Sequence, residues 1–161
     1  MGNVIDVIDF LERDHRRIAA LIEELERVDD PAEVRRVFFS IAEELAAHEA
    51  IEHEVVFPAF RARVEAAGDT TLAHRMGEHE EVNELLAEMR DLAPTGFGFT
   101  KRGSALMLDV KAHFLIEEET VFMRMREVLS AEELVELGRR ALEVRQHSPA
   151  FPETHLHLAD H

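Results

Sequence analysis

The chain of 161 residues is 46% hydrophobic, enough for one core, and sets 34 Asp+Glu against 18 Lys+Arg for a formal charge of −16. That balance argues against a nucleic-acid backbone or an anionic membrane surface as partner, because both need clustered cations. There is no cysteine, so disulfides, thiolate zinc sites and cysteine chemistry are excluded.

The first predicted helix runs from about Asn3 to Val28, with Asn3 as N-cap and Asp6 three residues on. Its inward stripe is Val4, Ile8, Leu11, His15, Ile18, Ile22 and Leu25, alternating spacings of four and three as a bundle helix does. The second opens on Asp30 as cap, Pro31 in the first position and Glu33 in the third. Its stripe is Val34, Phe38, Ile41, Leu45, His48, Glu52, Val55 and Ala59, with a kink expected at Pro58 and a stop at Gly68. A third helix is expected from Thr70 to Leu92, with Leu72, Met76, His79, Val82, Leu86 and Met89 inward. Pro94 to Phe99 reads as a loop. The fourth helix covers about Lys101 to Leu129, with Leu106, Val110, His113, Glu117 and Thr120 inward. Ser130 and Glu133 form a capping box that opens a short fifth helix to about Arg145. The predicted fold is therefore all-α: an up-down-up-down antiparallel four-helix bundle over 1–146, closed by the short extra helix. An irregular tail over 147–161 carries His147, His155, His157 and His161.

Each long helix has one histidine in its apolar stripe: His15, His48, His79 and His113. A glutamate follows four residues after two of them, giving His48–Glu52 and His113–Glu117, each pair on one helix face. With short loops, all six groups fall in one central layer of the bundle. A single such histidine is ordinarily a core residue with one hydrogen-bond partner. Two buried carboxylates in the same layer are another matter, because each costs several kcal/mol unless a positive charge matches it. No Lys or Arg lies on these stripes near the layer, so metal cations are the expected counter-charge.

Four imidazoles and two carboxylates without thiolate suit iron, manganese or zinc. Six donors exceed what one ion with open positions needs, and they match two ions that share two bridging carboxylates. Other motifs fail. In His48–Glu49–Ala50–Ile51–Glu52–His53 the second histidine is one residue too late for a zinc-protease HExxH. The ferritin-like Glu-x-x-His pattern occurs only at Glu12–His15.

The segments Glu12–Arg13–Asp14–His15, His48 to Glu54 running into Phe57–Pro58, Glu78–His79–Glu80, and His113 to Glu119 resemble the hemerythrin-like, HHE cation-binding family. The resemblance extends from Met1 to about Leu129, and the order H…HxxxE…H…HxxxE is its specific part. It implies a bundle around an oxo- or hydroxo-bridged pair of iron ions. His15, His48, His79 and His113 are then iron ligands, and Glu52 and Glu117 are bridges. Family roles include oxygen binding, oxygen or redox sensing, iron-linked regulation and, in some actinobacterial members, peroxide breakdown.

The sequence departs from the oxygen carriers, which present two histidines at HxxxH spacing on the third helix. Here Arg75 stands four before His79, and His74 stands five before, on another face. Glu49 or His74 is a candidate to complete the coordination. The final pair also ends in Glu at the fourth position, where carriers have Asp at the fifth. Both departures weigh against reversible carriage and favour catalase-like decomposition of hydrogen peroxide, with Glu52 and Glu117 at the reacting centre and Glu49 as a proton relay. The competing expectations are binding or sensing of dioxygen or nitric oxide without turnover, and iron buffering. His53, Glu118 and Glu119 neighbour the ligands as candidate orienting groups or simply as a solvated face. Met1–Phe10 has no apolar signal core, Asp6 disfavours myristoylation, and no apolar run spans a membrane, so a cytoplasmic protein is expected.

Overall fold

The computed structural model describes residues 5–64, 82–92 and 96–147, and of Phe97 the backbone alone. His74, Arg75, His79, the expected stop at Gly68 and the tail over 148–161 lie outside the described residues. The fold is a helical bundle with an extra C-terminal helix, and no strand occurs among the described residues.

Helix α1 is Val7–Arg27. Its N-cap is Asp6, not Asn3: the Asp6 carboxylate accepts the Asp9 amide at 2.9 Å. Helix α2, Pro31–Ile51, starts as expected, with Asp30 accepting the Glu33 amide at 3.2 Å. It runs into a π-helical turn, Glu52–Val56, and then α3, Phe57–Val64. Helix α4 covers 82–90, with Val82, Leu86 and Met89 buried. Helix α5, Phe97–Ile116, begins four residues before the expected Lys101, capped by Gly96, because Phe99 is drawn into the core. A second π turn, Glu117–Val121, leads into α6, Phe122–Val128. Helix α7 is Ala131–His147. Its capping box is reciprocal, the Ser130 amide bonding Glu133 and the Glu133 amide bonding the Ser130 hydroxyl, each at 3.1 Å.

The two π turns correct the expected periodicity. A π turn inserts an extra residue and moves everything after it around the axis. Thr120, expected inward, is exposed, its hydroxyl bonding the Ile116 carbonyl at 2.6 Å, and Val121 takes the inward position. Pro58 follows the first turn closely, but the second has Met123 in the corresponding place, so proline is not what produces them. Both begin at a glutamate of the expected ligand set.

The apolar core falls into two clusters. One gathers Val7, Ile8, Leu11, Ile51, Phe60, Met125, Leu134 and Leu137, and the other Ile18, Ile22, Phe38, Ile41, Leu86, Met89, Leu106 and Val110. Between them, on α1, α2, α5 and the two π turns, lie Asp14, His15, His48, His113, Glu52 and Glu117, all buried. The bundle thus holds a polar layer between two apolar clusters. The extra helix α7 lies against α1 and α2 and buries Leu134, Leu137 and Ala141.

Candidate metal centre

Helix spacing delivers each side chain. His48 and Glu52, and likewise His113 and Glu117, stand one turn apart on one face, so both members point inward. His15 meets them from α1. Its ring stacks on Phe114 at 3.8 Å between centroids and 10° between planes. Phe114 also meets His48 edge-on at 5.6 Å. One phenyl ring therefore restricts two imidazoles.

One ligating atom from each of His15, His48, Glu52 and Glu117 can be chosen so that all four lie within 4.8 Å of one another. His48 Nε2 is 2.7 Å from Glu52 Oε1, and His15 Nε2 is 3.2 Å from His48 Nε2. Glu117 divides its two oxygens. Oε1 lies 3.1 Å from His15 Nε2 and 3.6 Å from His48 Nε2, while Oε2 lies 2.9 Å from His113 Nε2. A carboxylate placed in this way serves two sets of imidazoles at once. His113 thus joins the cluster through Glu117. His79, the remaining expected ligand, lies outside the described residues.

The electrostatics of the cluster favour a cation. Glu52 and Glu117 are both fully buried. Burial pushes the Glu117 carboxyl up, but the imidazoles of His113, His15 and His48 around it outweigh that and hold the group well below the usual carboxylate range. Burial pushes His48 down, but the Glu52 charge, the hydrogen bond to Asp14 and the nearby Glu117 carboxylate carry it well above the usual imidazole value. A pocket that draws a proton onto a buried imidazole this strongly is negative in potential, and a metal ion can take the place of that proton. The donors also fit: ligand bonds of about 2.0–2.2 Å put neighbouring donors about 3 Å apart, as these contacts are. The residues present therefore suit a metal centre of nitrogen and oxygen donors.

The outer nitrogens of two imidazoles are also held. His48 Nδ1 is 3.3 Å from Asp14 Oδ2, and His15 Nδ1 is 3.2 Å from Glu118 Oε1. Each orienting carboxylate is the sequence neighbour of one expected ligand and serves a ligand on a different helix. Asp14, 1% exposed, was not singled out by sequence reasoning, because a charged residue off the stripe reads as solvated until its partner is known. Asp14 is held below the usual carboxylate range: burial raises it, but the His48 hydrogen bond and the charges of His48, Arg145 and Arg17 more than offset that.

Other candidates sit further out. Glu49 lies outside the tight cluster but lines a narrow cavity beside His48 and His113, with Leu45, Val82, Val110 and Phe114. It accepts a hydrogen bond from Asn83 Nδ2 at 2.9 Å, and His53 Nε2 lies 3.8 Å from it. Glu119 is exposed on the solvated face. His147 ends α7, its ring 2.8 Å from the Glu143 carbonyl and in no metal cluster among the described residues.

Known proteins share this fold. The family model for the hemerythrin HHE cation binding domain matches residues 6–125. A curated relative from Nostoc sp. (strain PCC 7120 / SAG 25.82 / UTEX 2576), named a DNA nickase, is 30% identical over 129 residues, covering 80% of this chain. The alignment takes in only 36% of that protein's length. The crystal structure of a hemerythrin HHE cation binding domain-containing protein from Mycobacterium kansasii superposes with a TM-score of 0.79. It is 21% identical, with 89% of this chain and 86% of that one covered, and so shows the shared fold. With the family match spanning most of its length and a buried His/Glu cluster at its centre, the chain belongs to the hemerythrin HHE cation-binding family.

Proposed function

We propose that this chain is a non-haem di-iron protein that disproportionates hydrogen peroxide. Iron would be held by His15, His48, His79 and His113, and bridged by Glu52 and Glu117. The observation that carries the reading is the division of the Glu117 oxygens between His15 and His48 on one side and His113 on the other. Two bound irons would supply the two-electron exchange by which one peroxide is reduced to water while another is oxidised to dioxygen.

The chain's own residues do the rest. Asp14 and Glu118 hold the outer nitrogens of His48 and His15, which fixes the rings and leaves their Nε2 atoms facing inward. Glu49, which lines the cavity with His48 and His113, would take or return a proton there. The cavity has room for about one water-sized molecule. Room of that size is in keeping with peroxide, dioxygen or nitric oxide as the partner.

Binding or sensing of dioxygen or nitric oxide without turnover is the second reading, favoured by the same small cavity. We do not extend DNA nicking to this chain: its charge of −16 opposes a phosphate backbone, and the nickase is mostly sequence that this chain does not match. A cytoplasmic setting belongs to the proposal; no described helix is long and apolar enough to cross a membrane.

The test is dioxygen release after peroxide is added to protein of known iron content. Release that scales with iron and vanishes in the apo protein supports the enzyme. Silence from iron-loaded protein, together with a reversible absorbance change under dioxygen, would move the assignment to gas binding.

A further inference from the structure

Beyond the residues matched by the family model, 6–125, helix α7 sends one side chain towards the centre. Arg145 Nη1 bonds Asp14 Oδ1 at 2.7 Å, and its Nη2 bonds Glu44 Oε2 at 2.5 Å. Arg17 Nη1 bridges the same two carboxylates, at 3.2 Å and 2.8 Å. Both guanidiniums thus occupy Oδ1 of Asp14, and the other oxygen, Oδ2, is left to His48 Nδ1. On the far side of that ring, Nε2 faces Glu52 and His15.

We infer that Arg145 is a positioning residue for the metal centre, anchoring Asp14 so that Asp14 can orient and polarise His48. The inference rests on the cluster being a metal centre and is independent of whether peroxide is turned over. A carboxylate as buried as Asp14, 1% exposed, is costly to keep charged without cations around it. Arg17 is the more exposed of the two anchors. It lies on the same helix as Asp14 and its side chain is 44% exposed, whereas that of Arg145 is 24% exposed and reaches in from another helix. Nor is Arg145 required simply to dock α7. Leu134, Leu137 and Ala141 are already buried in the core, and Gly138 lies directly against the backbone of Ile5 to Val7. What the guanidinium adds is a planar fork that meets two carboxylates at once and fixes which oxygen of Asp14 is presented to His48. The C-terminal helix is in this way part of the metal centre's outer support, although it contributes no ligand.

The experiment compares wild type, Arg145→Gln, Arg145→Lys and Arg139→Gln as full chains loaded with iron. Three properties are followed: iron transfer to an external chelator, the visible absorption of the ferric protein, and helical content. Arg139 pairs with Glu136 and Glu143 within α7, so Arg139→Gln reports on the helix alone. Losing an outer partner of a metal-ligating histidine typically costs about 10–100-fold in affinity. Arg145 acts one step further out, so Arg145→Gln is expected to release iron about tenfold faster. Its absorption band shifts, while Arg139→Gln matches wild type in both. Arg145→Lys restores the charge but not the fork, and falls between. A folded Arg145→Gln with wild-type release and an unshifted band overturns the inference. Should that variant not fold, Arg145→Lys decides by the same two readouts, wild-type behaviour overturning it. A wild-type chain that takes up no metal overturns the metal reading itself, and this inference with it.

Discussion

Replacing Glu117 with Gln changes charge at almost constant volume, so no cavity confuses the result. In wild type, metal at about one hundred times its Kd stabilises the folded state by about 2.7 kcal/mol. At about 2.1 cal/mol/K per residue, a chain of 161 residues unfolds with an entropy of about 340 cal/mol/K. The metal-dependent rise in Tm is therefore about 8 °C. Loss of a direct ligand should exceed the roughly 100-fold weakening seen for outer partners, which leaves at most about 0.4 kcal/mol, or about 1 °C, at the same metal concentration. The apo protein also responds. Although burial disfavours the Glu117 charge, the imidazoles of His113 and His48 and the hydrogen bond from His15 hold its pKa well below normal, so the carboxylate form stabilises the fold at neutral pH. Losing one such charged hydrogen bond costs about 2 kcal/mol, so apo Glu117→Gln should melt about 6 °C lower. Scanning calorimetry with and without ferrous iron under anaerobic conditions reads both numbers. A variant that keeps the full metal-dependent rise would show that Glu117 holds no metal, and the centre built around it would fall.

Other consequences reach away from the ligands. Gly138→Ala should destabilise by about 1–3 kcal/mol in chemical denaturation, against the gain of about 1 kcal/mol that helix propensity alone offers. The added Cβ would lie 2.3 Å from the Ile5 carbonyl oxygen and 3.1 Å from backbone atoms of Asp6 and Val7. Val110→Ile adds one methylene to the wall of the small cavity; iron content should stay at the wild-type level while peroxide turnover or gas binding falls, and unchanged kinetics would remove the cavity from the reaction. Ser130→Ala should cost about 1 kcal/mol at pH 7 through loss of the α7 cap. The Ser130 backbone amide holds the Glu133 carboxyl below its usual range. The contribution of Glu133 is therefore full above the ordinary carboxylate pKa and is lost as pH falls through the lower folded value. Ser130→Ala keeps that backbone amide, so both proteins lose the Glu133 contribution in acid and the gap between their denaturation midpoints should persist.

Much of this protein is legible along the chain because its signals are local. The caps at Asp30 and Ser130 depend on residues three apart, and the structure forms both as expected. The inward run His48–Glu52 and His113–Glu117 depends only on the pitch of a helix, and both pairs are buried. The start of α1 was less determined, since Asn3 and Asp6 are both good caps. The described chain uses Asp6, at the point where the entry to α1 lies on Gly138 of α7.

Tertiary structure decided what crosses between helices. A helical repeat states which face is inward but not which neighbour it meets. Hence the divided oxygens of Glu117, the pairing of Asp14 with His48 and the reach of Arg145 from α7 have no local signature. The π turns are of the same kind. A uniform pitch predicts Thr120 inward, whereas burying Glu117 inside the bundle goes with a widened turn that brings Val121 in instead. The sequence by itself therefore determined the helices, their inward faces and the donor types at the centre, through interactions within a turn or two. The pairing of those donors, their outer support and the local departures from helical pitch were set by packing, because a buried charge takes its partner from whatever the fold places beside it.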